Sequence, residues 1–196
     1  LYATLCADII AFNSQYNRST FVQGAKALLE KLPDRLSPDL LEKIGESEVL
    51  PVPLEKLPIE AAKTAGYGAS KSLEVVWNHR WEYDKGPALL LEFVRLLCQS
   101  ELNCALHIVG QQFKQRPPEF AEAQTLLAAQ ARRFGRAPAH CGFIEDRTAY
   151  EALLRRCDVV LSTALHDFQG LSVQEAVLAG CTPLTPDDLV YPEYLP

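Results

Sequence analysis

A doubly wound, Rossmann-like parallel α/β sheet is the fold this sequence predicts, and three observations predict it. From about residue 73 onward, short apolar runs alternate with amphipathic stretches, the mark of β-α repetition. The stretches between the runs carry apolar residues at helical spacing, as in Leu90, Phe93, Val94 and Leu97. Residues 53–72 interrupt this order with prolines, glycines, Lys and Ala, so the repetition starts afresh after them.

Taken in order, residues 7–12 read as a strand ending at Asn13-Ser14. Asn17 or Ser19 can cap the helix that follows, through Phe21, Ala25, Leu28 and Leu29 to Pro33. Residues 38–44 read as a second short helix and 48–52 as a short strand. Beyond the break, 73–77 is a strand, 87–98 a helix, and 104–109 a strand that stops at Gly110. A helix over 119–134, a strand over 139–144 and a helix over 148–156 come next. A strand over 158–162, a helix over 171–179 and a strand over 182–184 close the pattern. The expected domains are the end of an earlier one (1–55), a linker (56–72) and the doubly wound domain itself (73–196).

The balance of 48% hydrophobic and 22% charged residues in 196 is that of a globular protein. A net charge of −6 excludes a general basic field, so phosphate has to be met by local donors. No apolar run approaches the roughly 20 residues that cross a bilayer, and no basic-then-apolar leader opens the chain. The expectation is a cytoplasmic protein without a membrane contact. Because the chain starts at Leu1 and contains no Met, a fragment of a longer protein is expected. The six cysteines form no C-x-x-C pair and lie mostly in apolar stretches, and the four His lack ligand spacing. Reduced, buried thiols are expected, and no metal.

In an open α/β sheet, ligands lie beyond the carboxyl ends of the strands. The loop after the first strand of the domain, residues 77–87, holds Arg80 and Lys85, a planar fork of donors and a compact charge that can meet one anion. The same loop reads equally well as solvated cover for the sheet edge. A second loop runs from Thr163 through Asp167 and Gly170 into a helix that carries Glu175. Gly170 lets a ligand approach the backbone, and the amides of Gly170, Leu171 and Ser172 fall in the first helical turn, where unpaired N–H groups attract phosphate. Asp167 and Glu175, eight residues apart, can accept paired hydrogen bonds from sugar hydroxyls. Spacing alone also fits an acid on a helix dipole and an ordinary helical Glu.

At these loops the chain resembles the family 4 retaining glycosyltransferases, enzymes of the GT-B fold. Arg80 with Lys85-Gly86 matches their R-x4-K-G segment, and Asp167 through Glu175-Ala176 matches their E-x7-E motif. Gly110 and Cys141-Gly142-Phe143 fall in order between them. A narrower resemblance, to the tRNA-queuosine alpha-mannosyltransferase group, rests on residues 7–14, on Trp77-Asn78-His79-Arg80-Trp81 and the residues up to Lys85, and on the stretch from Glu175 to Glu193.

The resemblance implies that this chain is mainly the donor-binding, C-terminal half of such an enzyme. Arg80 and Lys85 would hold a diphosphate with the amides of Gly170 and Leu171, and Ser172 lies in the same turn. Asp167 would take the donor sugar and Glu175 the nucleoside ribose, while Phe143, Ile144 and Tyr150 would border the base. Asp167, Arg80 and Lys85 are the residues that would serve catalysis. GDP-mannose is the implied donor and queuosine in tRNA the implied acceptor, reached through an upstream domain. No cofactor and no metal are implied, and the piece alone is expected to be inactive. Two positions depart from the family pattern: Asp167 is one methylene shorter than Glu, and Gln169 replaces Phe or Gly.

Overall fold

The computed structural model describes residues 1, 4, 6–33, 39–55 and 72–195. The expected linker at 56–72 lies outside them except for Ser72. The chain forms two compact units: Leu1–Leu54 with Asp167–Gly170 and Asp187–Pro196, and Glu55–His166 with Leu171–Pro186. The run drawn from sequence as 73–196 is therefore shared, its last ten residues and a four-residue loop packing with the first unit.

In the first unit, strands β1 (Ala11–Phe12) and β2 (Glu48–Val49) pair in parallel, with Ala11 opposite Glu48 and Phe12 opposite Val49. Between them lie helices α1 (Gln15–Leu29) and α2 (Asp39–Gly45). Phe12, Ala25 and Ile44 form the small core. The α1 cap is Ser14, not Asn17 or Ser19. Ser14 is in extended conformation and its Oγ accepts from Asn17 N at 2.9 Å, so the helix starts where the first free amide finds that oxygen. Glu193, far along the chain, accepts the Gln15 and Tyr16 amides at 2.8 and 3.0 Å, satisfying the two remaining donors of the turn.

The second unit is a five-stranded parallel sheet. Its strands are β3 (Leu73–Asn78), β4 (Cys104–Val109), β5 (Cys141–Gly142), β6 (Val159–Leu161) and β7 (Thr182–Leu184). Their order is β5-β4-β3-β6-β7, a doubly wound sheet as predicted, with the direction of winding reversing beside β3. The connecting helices are α3 (Pro87–Gln99), α4 (Glu119–Arg133), α5 (Arg147–Arg156) and α6 (Leu171–Leu178). A short helix α7 (Tyr191–Tyr194), which periodicity did not mark, closes the chain in the first unit.

Strand β4 is buried at all six positions, which explains its unbroken apolar run. The Trp77-Asn78-His79-Arg80-Trp81 segment supplies core anchors rather than cover for the sheet edge. Trp77 and Trp81 are both buried, and Trp81 stacks on Phe120 with ring centroids 4.5 Å apart. Trp77 lies 5.4 Å from the same ring and donates its indole N–H to Thr163 Oγ1 at 2.9 Å. Thr163 in turn donates to the Lys85 carbonyl at 2.9 Å, tying the β3 loop to the β6 loop. Gly86 makes this approach possible: with φ of 64°, an added Cβ would sit 1.9 Å from the Thr163 carbonyl oxygen. The cysteines are unbridged, as expected, and burial pushes the Cys104 thiol up to about 11.

Candidate functional site

A cavity of about 350 Å³ opens beyond the carboxyl ends of β3, β4 and β5 in the second unit. Each wall comes from a different strand end. Asn78, His79 and Arg80 follow β3; Val109, Gly110 and Gln111 end β4; Phe143, Ile144 and Glu145 follow β5. Arg147 and Tyr150 enter from the start of α5, and Glu175 from α6. Gly110 keeps the first two loops together, since a Cβ there would lie 1.7 Å from the His79 carbonyl oxygen.

Five of the residues singled out from sequence meet here: Arg80, Phe143, Ile144, Tyr150 and Glu175. Arg80 is half exposed and pairs with Glu82 at 2.9 Å, with Asp84 3.8 Å away. Such pairs are weak in water, which leaves the guanidinium able to turn toward an anion. Lys85 is held differently. Its side chain is buried, donates from Nζ to the His166 carbonyl at 2.7 Å and lies 3.3 Å from Asp84. It is not among the cavity residues. Leu171 and Ser172 begin α6, and the Ser172 carbonyl accepts from Asn78 Nδ2 at 2.6 Å.

Asp167 and Gly170 belong to the first unit. There the Gly170 amide donates to Asp167 Oδ1 at 3.1 Å, and the Tyr191 hydroxyl donates to Asp167 Oδ2 at 3.1 Å. Gln169, beside them, is buried. Its Oε1 accepts from Val52 N at 3.0 Å and its Nε2 donates to Val52 O at 2.9 Å.

Sequence reasoning missed Arg147, Asn78, His79 and Glu145. Arg147 pairs with two acids. Its Nη1 meets Glu175 Oε1 at 3.0 Å, its Nε meets Glu151 at 2.9 Å, and the guanidinium lies 5.5 Å from the Tyr150 ring centroid. The Tyr150 hydroxyl donates to Glu175 Oε2 at 3.2 Å. Burial, with the Glu175 charge second, pushes the Tyr150 phenol well above its ordinary value, so it keeps its proton. His79 is buried, its ring nitrogens 3.0 and 3.4 Å from the hydroxyls of Ser162 and Ser172. The signal that could have found Arg147 is Asp146 directly before it: Asp146 Oδ1 accepts from Thr148 N at 2.9 Å, so the helix begins one residue earlier than predicted and presents Arg147 in its first turn.

Among the described residues no group of three or more His, Cys, Asp or Glu is placed to hold a metal ion, and no helix is long and apolar enough to cross a membrane. An anionic ligand would meet Arg80 and Arg147 at this cavity, a polyol would meet Glu175, and a flat apolar group would meet Phe143 and Ile144.

A parallel sheet of this order, with a cavity beyond its strand ends, is a doubly wound α/β domain, and the comparisons place it in a family. The chain belongs to the glycosyl transferases group 1 family, whose pattern matches residues 66–195. Residues 1–54 match a second family, the tRNA-queuosine alpha-mannosyltransferase N-terminal domain. The tRNA-queuosine alpha-mannosyltransferase of Drosophila melanogaster is 33% identical over 203 residues, an overlap of 100% of this chain and 52% of that protein. The chain thus spans about half the length of that relative. Among solved structures, Anabaena HepE in complex with UDP and glucose matches with a TM-score of 0.63 at 18% identity, covering 99% of this chain and 48% of that one. TarM matches with a TM-score of 0.61 at 15% identity, covering 95% and 31%. These likenesses speak for the fold, that of the GT-B glycosyltransferases.

Proposed function

We propose that this chain is the donor-binding half of a retaining glycosyltransferase that moves mannose from GDP-mannose to queuosine in tRNA. The observation that carries the reading is the cavity itself. It joins a half-exposed cation (Arg80), an apolar wall (Phe143 and Ile144) and a carboxylate already oriented on both oxygens (Glu175). Those are the three chemistries of a nucleoside diphosphate: charge, base and ribose diol. Lys85, Leu171 and Ser172 would add donors for the diphosphate, and Asp167 and Gly170 are assigned by the resemblance alone. The match of residues 1–54 and the Drosophila relative support the acceptor proposed.

In the proposed reaction the acceptor hydroxyl oxygen bonds to C1 of mannose on the face from which the diphosphate departs. The C1–O bond breaks with its electron pair going to GDP, and the acceptor's proton passes to the departing phosphate. Arg80, turned from Glu82 toward the departing phosphate, stabilises the charge that grows there.

Calorimetry with GDP, UDP and GDP-mannose tests the donor. Tighter binding of UDP than of GDP sinks the mannose assignment. Arg80→Ala should weaken GDP binding by roughly 10- to 100-fold, the range for a charge-assisted hydrogen bond, while guanosine binding changes less than about twofold. Equal losses for both would make Arg80 structural.

A second reading, a non-catalytic module that holds nucleotide sugars, is favoured by one observation: both Asp167 oxygens are engaged by Gly170 and Tyr191. The full-length protein assayed on queuosine-bearing tRNA separates the two, because a module yields no mannosylated nucleoside.

A further inference from the structure

We infer that Asn78 and Tyr150 are positioning residues that aim the Glu175 carboxylate at a ribose diol, Asn78 acting through Tyr150 and Arg147 fixing the other oxygen. The inference rests on the nucleotide reading above and gives Asn78 and Tyr150 a role that the resemblance does not, which has Tyr150 border the base.

The direction of each hydrogen bond can be worked out from chemistry. Asn78 is buried, and one of its amide atoms lies 2.6 Å from the Ser172 carbonyl, which can only accept. That atom must therefore be Nδ2, and the amide cannot be turned over. The second Nδ2 hydrogen points at the Tyr150 oxygen, 3.0 Å away. Because Tyr150 Oη accepts there, its single proton is left for Glu175 Oε2 at 3.2 Å. Arg147 Nη1 supplies the other oxygen at 3.0 Å. Each Glu175 oxygen thus holds one donor and keeps one more lone pair.

That arrangement suits two adjacent hydroxyls. A vicinal diol offers one O–H to each oxygen, and a carboxylate already fixed in plane loses little freedom on meeting it. The network has a cost that argues for a role beyond packing. Asn78 Oδ1 is buried and, among the described residues, has no hydrogen-bond partner, an arrangement that an apolar side chain would avoid. Burial pushes the Tyr150 phenol above its ordinary value, which keeps a proton on the hydroxyl for Glu175.

The test uses the 196-residue chain, two ligands and two variants. GDP and 2′,3′-dideoxy-GDP share base and diphosphate, and only the first offers the diol. Tyr150→Phe removes one hydroxyl and keeps the ring. It should weaken GDP by about tenfold, the loss of a hydrogen bond to a charged group, and change dideoxy-GDP by less than about twofold. Asn78→Ala, checked by its melting curve, should show the same split more weakly. In a Glu175→Gln background the Tyr150→Phe effect on GDP should vanish, the signature of a residue acting through another. Equal losses for both ligands, or an undiminished loss in the Glu175→Gln background, overturn the inference while leaving nucleotide binding intact. If the unaltered chain binds no GDP, the proposed function fails and this inference with it.

Discussion

Two acids of one motif, Asp167 and Glu175, are held in opposite ways. Glu175, in the second unit, lines a cavity and takes one donor on each oxygen from Arg147 and Tyr150, with lone pairs to spare. Asp167, in the first unit, closes its own loop: the Gly170 amide takes one oxygen and the Tyr191 hydroxyl the other. The difference teaches that eight-residue spacing does not make two carboxylates one device. One is arranged as a receptor in waiting. The other works as a clasp between its loop and the final helix of its own unit.

The comparison breaks or holds on variants of the two acids. The largest effect is expected at Glu175. Glu175→Gln should weaken GDP by roughly 10- to 100-fold, as for a lost charged acceptor, and should move the urea midpoint little, because its Arg147 partner is half exposed. A large stability loss with unchanged affinity would reverse the roles. Asp167→Ala should do the converse. By leaving the Gly170 amide and Tyr191 hydroxyl without their acceptor, it should cost about 1–3 kcal/mol of stability, read as a shifted urea midpoint. GDP affinity lost in equal measure with stability held would make Asp167 a ligand group.

A smaller effect comes from an acid outside both clusters. The Glu74 carboxylate is held below its ordinary value of 4.5, first by the hydrogen bond from His107 Nε2 at 2.8 Å, against a burial effect that works the other way. His107 Nδ1 accepts from His140 N at 3.0 Å, so the ring proton sits on Nε2 and points at Glu74. A depressed carboxylate contributes stability that is whole above the unfolded value and fades as pH falls through the lower folded one. Unfolding free energy measured from pH 6 down should therefore drop below about pH 4.5, and Glu74→Gln should flatten that drop. An unchanged slope in the variant would remove Glu74 as its source.

The sheet was legible because buried parallel strands write themselves as apolar runs. Residues 104–109 were placed as a strand from sequence and are buried throughout. The two edge strands differ: β7 spans Thr182–Leu184 as read from sequence, whereas residues 139–144 shrink to Cys141–Gly142. Arg80 and Glu175 were singled out by loop position and motif, and Phe143, Ile144 and Tyr150 through the resemblance alone; all five line the cavity. Asp146 marks Arg147 as a first-turn residue, but its pairing with Glu175, 28 residues away, is recorded in no local pattern. Trp77 and Trp81 were misread as possible cover for the sheet edge. Trp77 ends the strand drawn over 73–77 and Trp81 lies in the loop after it, and Phe120 of α4 draws both inside. The division into units was hardest to see, because the clasp residues of the first unit are scattered to the far end of the chain.

Gln169 was noted as a departure from its family pattern, and its geometry gives that departure a meaning. One amide group answers both the N–H and the C=O of Val52, as the backbone of a neighbouring strand would. Glutamate has no N–H to offer the Val52 carbonyl, and a shorter amide stops a methylene earlier. The side chain is in effect one rung of a ladder borrowed from a residue's tip. At this position, then, the choice of amino acid is governed by peptide pairing, with its own strict rule about which atom gives and which receives.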